Sequence, residues 1–275
     1  VPCATTTLEE TLYYHQRYID TLLNKCVETA RRCQATVFVN ALYPVGDNYR
    51  NTTYVIDRSG ETVGKYFKKH LPPLERDVLQ LDASYTAEFS EPYVIEIEGV
   101  RYGFLTCYDF YFYESFSNIA RYNPDVVIVC SHQRSDTHDA LRTMCKFCAY
   151  NCNAYLLRSS VSLGEHSEVG GSSMIVEPDG NVLVDLRNEV GFGVADIDPH
   201  KRYLKPAGFG NAPDVHHNYV ERGRRPWKYR PGGSAIVCPD DVMPYPRICA
   251  HRGFNTIAPE NSMPAFGAAV AMGAE

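Results

Sequence analysis

Residues 93–130 of this 275-residue chain read YVIEIEGVRYGFLTCYDFYFYESFSNIARYNPDVVIVC. Two β-rich runs flank the Glu98-Gly99 turn and predict a hairpin, because Gly tolerates the positive φ that tight turns require. A helix near residues 112–121 follows. Val126–Cys130 is then a continuous apolar run, typical of a strand buried on both faces. This order of elements predicts an α/β fold in which helices cover the sheets.

The same alternation extends in both directions from this stretch. Thr6 and Glu9 form a capping box that predicts the start of a long first helix. The remaining predicted elements are helices at about 8–33 and 136–151, strands at 36–40 and 154–160, hairpins at 53–67 and 173–185, and a last strand at 193–197.

The composition excludes several function classes. The chain has 33 acidic and 27 basic side chains, a net charge of −6 with neutral histidines, so we expect no nucleic-acid partner. No run approaches the roughly 20 apolar residues of a membrane helix, and no signal pattern follows Val1. The ten cysteines fall mostly in apolar runs, which indicates free thiols in the reducing cytoplasm.

Three of the cysteines share one predicted helix face. Cys145, Cys148 and Cys152 are spaced by three and four residues, a spacing at which a metal could bind. No second ligand pair accompanies them at zinc-finger spacing, and small apolar thiols suit a packed helix face. We therefore favour core packing and predict no metal and no cofactor for this domain.

The sequence texture changes after about Lys205, where Pro, Gly and Arg become frequent. This divides the chain into a predicted domain at 1–205, an extended arm or linker at 206–246, and a further unit at 247–275. The arm carries a basic cluster, for which nucleic-acid binding and packing against an acidic face are the alternatives. On an acidic protein we favour the second. The cluster consists of Arg222, Arg224, Arg225, Lys228 and Arg230.

Cys107 stands where the strand ending at Thr106 turns into a helix. Amide and nitrile carbons are poor electrophiles, so their cleavage by a nucleophile requires an activated thiol and positive charge at the oxyanion. Backbone amides at a helix start can stabilise a thiolate and donate to an oxyanion. The alternative is that Cys107 simply fills the core.

Several further segments accompany Cys107 in a recognisable order. They are Gly64-Lys-Tyr-Phe-Lys-Lys-His-Leu71 before Pro72-Pro73, Cys107-Tyr-Asp109, Ala149-Tyr-Asn-Cys-Asn153, Gly170-Gly-Ser-Ser173 and Pro178-Asp-Gly180. Over about residues 8–200 the chain resembles the carbon–nitrogen hydrolase (nitrilase and amidase) superfamily. The resemblance implies an αββα sandwich, a homodimer or higher homo-oligomer, and a small-molecule amide or nitrile as substrate.

The resemblance also implies roles for individual residues. Cys107 would be the nucleophile, Lys68 would stabilise the tetrahedral intermediate, and the amide of Tyr108 would complete the oxyanion site. Lys69 is the neighbouring alternative, but the family's spacing favours Lys68; otherwise Lys68 is a solvated charge at a strand end.

A glutamate that supports the lysine and cysteine in this family should lie between them. Glu75 and Glu88 are the candidates, and we prefer Glu75. Glu114 matches another family position, where we expect a structural role.

The general base of the family is a glutamate at the end of its first strand, and no segment here matches it. The strand at Val37–Asn40 matches the next strand of the family instead. We therefore expect that the chain lacks the first strand and its base, and that the 275-residue chain is inactive.

Ser131–Asp136 follows the buried strand at the level where a substrate pocket should lie. Arg134 and Asp136 are predicted to bind a polar or zwitterionic substrate. His132 is either part of this site or an ordinary loop histidine.

The C-terminal segment contains His251-Arg-Gly253, Pro259-Glu-Asn-Ser262 and Gly273-Ala-Glu275, in that order. It resembles the opening of a glycerophosphodiester phosphodiesterase, a TIM barrel of which only the first strand and helix would be present. By that resemblance His251 serves acid–base chemistry, Arg252 contacts phosphate and Glu260 helps to order the site. A divalent metal, Ca or Mg, is expected only in an intact phosphodiesterase domain, with ligands beyond Glu275.

The leading hypothesis is thus a thiol-dependent carbon–nitrogen hydrolase that forms a thioester on Cys107. The alternative is glycerophosphodiester hydrolysis as the main activity of a full-length fusion, with the nitrilase-like domain as a non-catalytic scaffold.

Overall fold

The computed structural model describes residues 7–87, 92–206, 208–224 and 249–274. The chain forms two compact units, Val1–Asn218 and Tyr219–Glu275. Within the described ranges no helix combines the length and the apolar character needed to cross a membrane.

The first unit begins with α1, which spans Leu8–Cys33 as predicted. Its N-cap is Thr7, which accepts a hydrogen bond from the Glu10 amide; Thr6, the predicted cap, lies outside the described residues. Gln34 ends the helix in the left-handed conformation that commonly terminates helices.

A three-stranded antiparallel sheet follows, in the order β1-β2-β3. Its strands are β1 (Val37–Val45), β2 (Asn48–Ile56) and β3 (Thr62–Phe67). The β2–β3 hairpin matches the prediction. The β1–β2 hairpin was not predicted. Both strands extend several residues beyond their most apolar segments, and they meet at a turn at residues 46–47.

A six-stranded sheet carries the rest of the core, in the order β4-β5-β6-β7-β8-β9. The strands β5, β6 and β7 are parallel, and the outer pairs are antiparallel. Two helices, α2 (Tyr113–Ala120) and α3 (His138–Cys152), provide the crossovers. The strand bounds are Val94–Ile97, Val100–Thr106, Val126–Ser131, Tyr155–Ser160, Met174–Val176 and Val182–Asp185.

Two hydrophobic cores hold these layers together. Val55 and Tyr66 of the smaller sheet pack against Phe104, Ile128 and Tyr155 of the larger sheet. A second core fills the space between the larger sheet and the helices α2 and α3. With α1 packed on β1 and β2, the layers run helix, sheet, sheet, helix. The predicted α/β class is confirmed.

The predicted strand at residues 193–197 is wrong. This segment forms no strand, and its amides donate no backbone hydrogen bond to any described residue. The apolar side chains Val190, Phe192 and Val194 are largely exposed. Apolar alternation predicts a strand, but a strand exists only where a neighbouring strand pairs with it.

The region predicted to be an extended arm is partly regular. It contains β11 (Asp214–Val215), which pairs with β10 (Leu204–Lys205), and the helix α4 (His216–Gly223). The first compact unit extends to Asn218. Residues 225–248, with Arg225, Lys228 and Arg230, lie outside the described residues.

The described part of the second unit is short. Residues 249–262 form turns, and α5 (Met263–Ala271) follows, with Ser262 as its N-cap. The first barrel strand expected from the phosphodiesterase resemblance is absent from the described residues 249–274, and residues 247–248 lie outside them.

Candidate active site

Cys107 begins a short 3-10 helix, Cys107–Tyr111, directly after β5. Its φ is +47°, in the left-handed region that residues with a Cβ rarely adopt. A capping box secures this turn, because the Thr106 side chain bonds the Asp109 amide and the Asp109 carboxylate accepts from the Thr106 amide. The thiol therefore projects from a sharp, fixed elbow between strand and helix.

Asp109 connects this elbow to the end of β3. Its carboxylate is fully buried and accepts hydrogen bonds from the Tyr66 hydroxyl at 2.7 Å and the His70 backbone amide at 2.7 Å. His70 Nδ1 lies 2.9 Å from it and carries a proton here, since a carboxylate only accepts. Burial, followed by the negative charge of Asp109, raises the pKa of Tyr66 well above its usual value. The Asp109 carboxylate thus bonds both to the turn after β5, which carries Cys107, and to residues in and just after β3.

Lys68 continues the inward-facing alternation of β3 by one step beyond Tyr66. Its side chain is 0% exposed, which rules out the solvated charge considered from sequence. Its ammonium lies 2.7 Å from the Glu75 carboxylate. A buried ammonium needs such a partner, because desolvating an isolated charge is very costly.

Glu75 reaches Lys68 from a single π-helical turn, Leu74–Val78. The same carboxylate oxygen, Oε1, accepts a hydrogen bond from Asn51 at 3.1 Å. Asn51 in turn accepts from Asn40 at 2.8 Å. The other carboxylate oxygen of Glu75 is buried and has no hydrogen-bond partner among the described residues.

Cys107 and Glu75 line one cavity of about 420 Å³. Its wall also includes residues from the ends of β6 and β7, among them His132, Arg134 and Ser160. The carboxyl ends of neighbouring parallel strands meet at the same edge of a sheet, and ligand clefts in α/β folds form there. The volume suits a small molecule.

A second described cysteine, Cys130, lines the same cavity. Burial raises the pKa of its thiol to about 11, although a hydrogen bond with Thr53 opposes the shift. Cys130 is therefore a poor source of thiolate near neutral pH. Of these two thiols, the geometry favours Cys107 as a nucleophile.

The three predicted substrate-binding residues occupy different places. Arg134 lines the cavity, whereas Tyr108 and Asp136 are not among the described residues of its wall. The Tyr108 ring packs edge-on against Tyr111 and Phe112. Asp136 accepts hydrogen bonds from the Tyr111 hydroxyl and, at 3.5 Å, from Gln133.

Arg158 is a buried cation that sequence reasoning missed. Its guanidinium donates to the backbone oxygens of Gly171 and Ser172, and to Gln133 Oε1 at 3.1 Å. Burial lowers its pKa, while nearby groups that include Cys107 and Asp136 oppose that shift. Nothing in the sequence distinguished this arginine from a solvated one on a strand.

The other candidate residues lie elsewhere. Glu88 is outside the described residues, and exposed Glu114 lines a separate cavity together with Lys69. Cys145 and Cys148 are buried in the core, and burial raises the pKa of the Cys145 thiol to about 12.

In the second unit Arg252 forms an ion pair with Glu260, with nitrogen–oxygen distances of 3.0 and 3.1 Å. His251 is exposed. No group of three or more His, Cys, Asp or Glu side chains suited to a metal occurs within the part of the chain that the structure describes.

A four-layer α/β sandwich with a cysteine elbow and a buried lysine–glutamate pair at one cavity indicates the class of cysteine-dependent hydrolases. The model of the carbon–nitrogen hydrolase family matches residues 2–204. The chain belongs to this family.

Two curated relatives illustrate the similarity. The 2-oxoglutaramate amidase of Bacillus subtilis (strain 168) is 28% identical over 157 residues, which cover 54% of this chain and 56% of that protein. The deaminated glutathione amidase of Dictyostelium discoideum is 26% identical over 161 residues, 55% of each chain. This chain therefore spans about half the length of the curated relatives that it matches.

Solved structures give the same fold. An amidase from Nesterenkonia sp. is 22% identical, with a TM-score of 0.53 over 69% of this chain and 68% of that chain. A variant of the Nesterenkonia sp. AN1 amidase, with the acetamide moiety of fluoroacetamide covalently added at its active site cysteine, gives the same identity, coverage and TM-score.

Proposed function

We propose that this protein hydrolyses a non-peptide carbon–nitrogen bond through a thioester on Cys107. The observation that carries the proposal is the shared cavity: Cys107 opens onto it, and Glu75 in its wall holds the buried ammonium of Lys68. Acyl transfer requires a nucleophile and a fixed positive charge near it. Cys107 lines the cavity, and Lys68 is bonded to Glu75 of the cavity wall.

The proposed reaction has two stages. The Cys107 thiolate attacks the amide carbon and forms a carbon–sulfur bond, while Lys68 and the Tyr108 amide stabilise the oxyanion. The carbon–nitrogen bond then breaks, and the amine leaves with the proton that the Cys107 thiol gave up when it became a thiolate. Water next attacks the thioester, which releases a carboxylic acid and restores the thiol.

An amide is the favoured substrate class, and a nitrile is the alternative. Both curated relatives described above are named as amidases. Their similarity covers about half of their length, so it supports the amide class and does not identify a particular substrate.

Selective alkylation tests the nucleophile. Limiting iodoacetamide followed by peptide mass spectrometry should modify Cys107 before the other cysteines, with Cys130 as the matched control in the same cavity. Lys68→Met should slow acylation on the order of 10²–10³-fold, as for loss of an oxyanion donor. Faster modification of another thiol, or acyl transfer that persists in Cys107→Ala, contradicts the assignment.

We propose further that the 275-residue chain forms the thioester without sustained turnover. Glu75 is the one carboxylate among the described residues of the cavity wall, and its Oε1 already binds Lys68 and Asn51. Its Oε2 has no partner but is buried, so neither oxygen is open to take a proton from the thiol or from water, and Glu75 is a poor general base. An activated ester should therefore give one burst of leaving group per chain. Steady amide hydrolysis that Cys107→Ala abolishes would identify a different base.

The tail supports a second proposal, that residues 247–275 begin a glycerophosphodiester phosphodiesterase domain in a fusion protein. Arg252 and Glu260 stand in two of the motifs that carry the phosphodiesterase resemblance, and they form an ion pair with each other. Phosphodiester hydrolysis as the main activity remains the alternative function. The domain boundaries at about 205 and 246 belong to the same proposal.

We also propose a cytoplasmic homo-oligomer. The eight described cysteines are all free, which supports a reducing compartment. The state in solution can be measured by light scattering.

A further inference from the structure

We infer that Cys107 and Cys130 form a reversible disulfide when a peroxide oxidises Cys107. Both residues are free thiols in the structure. The disulfide itself is a property of these two thiols. Its effect on activity, which is to block the nucleophile, rests on the proposed function.

The pairing of β5 with β6 places the two cysteines within bonding range. The strands are parallel, and Thr106 is the register partner of Cys130. Cys107 is the next residue after Thr106. A strand spacing of about 4.8 Å and a step of about 3.8 Å between consecutive Cα atoms, taken at right angles, put the Cα atoms of the two cysteines roughly 6 Å apart. Disulfides join residues whose Cα atoms are about 4.4–6.8 Å apart.

The turn at Cys107 brings its thiol to the side of the sheet on which Cys130 lies. Successive side chains of a continuous strand point to opposite faces, so Cys107 would then point away from Thr106 and Cys130. The left-handed φ of +47° at Cys107 interrupts this alternation. As a result both thiols line the same cavity.

Thr53 of the smaller sheet contacts both strands at this point. Its hydroxyl lies 3.3 Å from the Thr106 hydroxyl, and its side chain also forms a hydrogen bond with the Cys130 thiol. One side chain thus contacts Cys130 and the residue that precedes Cys107. The other described cysteines lie on α1, on α3 or in the second unit, and none of them lines this cavity.

The two thiols differ in how readily a peroxide oxidises them. Thiolates, not thiols, react with peroxides. The pKa of Cys130 is raised to about 11 by burial, so only about one part in 10⁴ of it is thiolate at pH 7. Cys130 is therefore a poor first target, and the oxidant attacks Cys107, the other thiol of the cavity.

The proposed reaction needs hydrogen peroxide as its oxidant and has two steps. The Cys107 thiolate attacks one peroxide oxygen, the oxygen–oxygen bond breaks, hydroxide leaves, and Cys107 becomes a sulfenic acid. The Cys130 sulfur then attacks the Cys107 sulfur, the sulfur–oxygen bond breaks, and the hydroxyl leaves as water with the proton of the Cys130 thiol. The two sulfurs together lose the two electrons that the peroxide gains. A small thiol reverses the reaction by disulfide exchange.

Peroxide treatment of the full chain tests the inference. After oxidation, free thiols are blocked with iodoacetamide and the chain is digested without reductant. Mass spectrometry should find the peptides of Cys107 and Cys130 joined. Dithiothreitol added before the block should restore the iodoacetamide reactivity of Cys107.

Two variants and a control make the test specific. Cys130→Ser keeps the side-chain size and a hydroxyl for Thr53, and it should show neither the joined peptide nor the recovery, because Cys107 then proceeds to the irreversible sulfinic acid. In Cys107→Ala, Cys130 should stay reduced during the same exposure. Cys33→Ala, which removes an exposed thiol on α1, is the control and should behave like the parent.

The outcomes separate this inference from the proposed function. The inference is overturned if Cys107 reaches the sulfinic acid in the parent without a joined peptide, if it is joined mainly to another cysteine, or if dithiothreitol also rescues Cys130→Ser. Equally rapid oxidation of Cys130 in Cys107→Ala overturns the order of the steps. None of these results depends on amide hydrolysis.

The effect on activity is measured by the burst of leaving group from an activated ester. The burst should disappear with peroxide and return with dithiothreitol, which supports a redox block of the nucleophile. A joined peptide with an unchanged burst would support the disulfide and contradict Cys107 as the nucleophile.

Discussion

Cys107 is held in a backbone conformation that its side chain disfavours. A left-handed residue with a Cβ costs roughly 1–2 kcal/mol relative to the ordinary helical region. The Thr106–Asp109 capping box offsets that cost with two hydrogen bonds, and the bonds from Tyr66 and His70 to Asp109 fix the box in place. We therefore regard Asp109 as the residue that positions the thiol, although it does not itself line the cavity.

Asp109→Asn should lower both stability and thiol reactivity. An amide cannot accept at every position where the carboxylate now accepts, so we expect a loss of about 2–3 kcal/mol in the free energy of unfolding. Alkylation of Cys107 should slow, because the elbow relaxes. Tyr66→Phe removes one of the donors and is the graded control, with a loss of about 1 kcal/mol. Denaturant titration and alkylation rates measure these effects; unchanged reactivity in Asp109→Asn would contradict a positioning role.

The sequence predicted some residues of this site and missed others for a physical reason. Cys107, Lys68 and Glu75 stand in segments whose residue types and order are distinctive. Asp109 stands in the Cys107-Tyr-Asp109 motif without a role that the sequence assigns, and the sequence predicts no role for Asn51 at this site. Their roles come from partners 43 and 24 residues away, Tyr66 and Glu75, and such pairings exist only once the strands are assembled.

At the scale of elements, a predicted helix or strand is present where its apolar segment packs against or pairs with a neighbouring element. The strand β6 and the helix α3 lie within two residues of their expected bounds, because the apolar pattern coincides with burial on both sides. Residues 193–197 carry an equally good pattern but pair with no strand among the residues that the structure describes. The π-helical turn at Leu74–Val78 was not predicted either, since a run that follows two prolines reads as a loop.

The start of β6 provides a pH-dependent contact between elements. Asp125 is buried and accepts hydrogen bonds from the Arg101 amide at 2.7 Å and from the Arg202 guanidinium. Burial alone would raise the pKa of this carboxyl, but these hydrogen bonds and the charge of Arg202 outweigh it and lower the pKa. The charged form is thus favoured by folding.

Asp125→Asn should therefore remove part of the acid sensitivity. A depressed pKa contributes stability that is complete above the unfolded value of about 3.9 and is lost as the pH falls through the folded pKa. We expect the variant to be less stable by about 2 kcal/mol at pH 7 and to differ less from the parent as the pH falls below about 3.9. Urea titrations from pH 7 to 2.5 measure this, with Asp47→Asn in the exposed β1–β2 turn as control. A constant difference across that range would show that the carboxylate charge is not responsible.

At the scale of the whole chain, the four layers of the first unit followed from the sequence, but the regular structure after Lys205 did not. Proline, glycine and arginine in the sequence after Lys205 predicted an extended arm, yet Asp214–Val215 and α4 form regular structure there. The frequency of proline and glycine in a segment predicts only whether regular structure is common there on average. This frequency cannot predict that the two-residue strand Asp214–Val215 pairs with Leu204–Lys205. That pairing lies within the first unit, which extends to Asn218.

The second unit should bind no divalent metal tightly in this chain. A hard cation such as Ca²⁺ needs about six to eight oxygen ligands. Glu260, the acidic residue that the phosphodiesterase resemblance brings to this site, is instead bonded to Arg252 through both carboxylate oxygens. Binding a metal there would require breaking that pair and supplying ligands that the described residues do not group together. Calorimetric titration of the full chain with CaCl₂ or MgCl₂ should therefore give no stoichiometric heat, and Glu260→Gln should behave like the parent. Stoichiometric binding that Glu260→Gln abolishes would contradict this prediction and would mean that the tail assembles a metal site of its own.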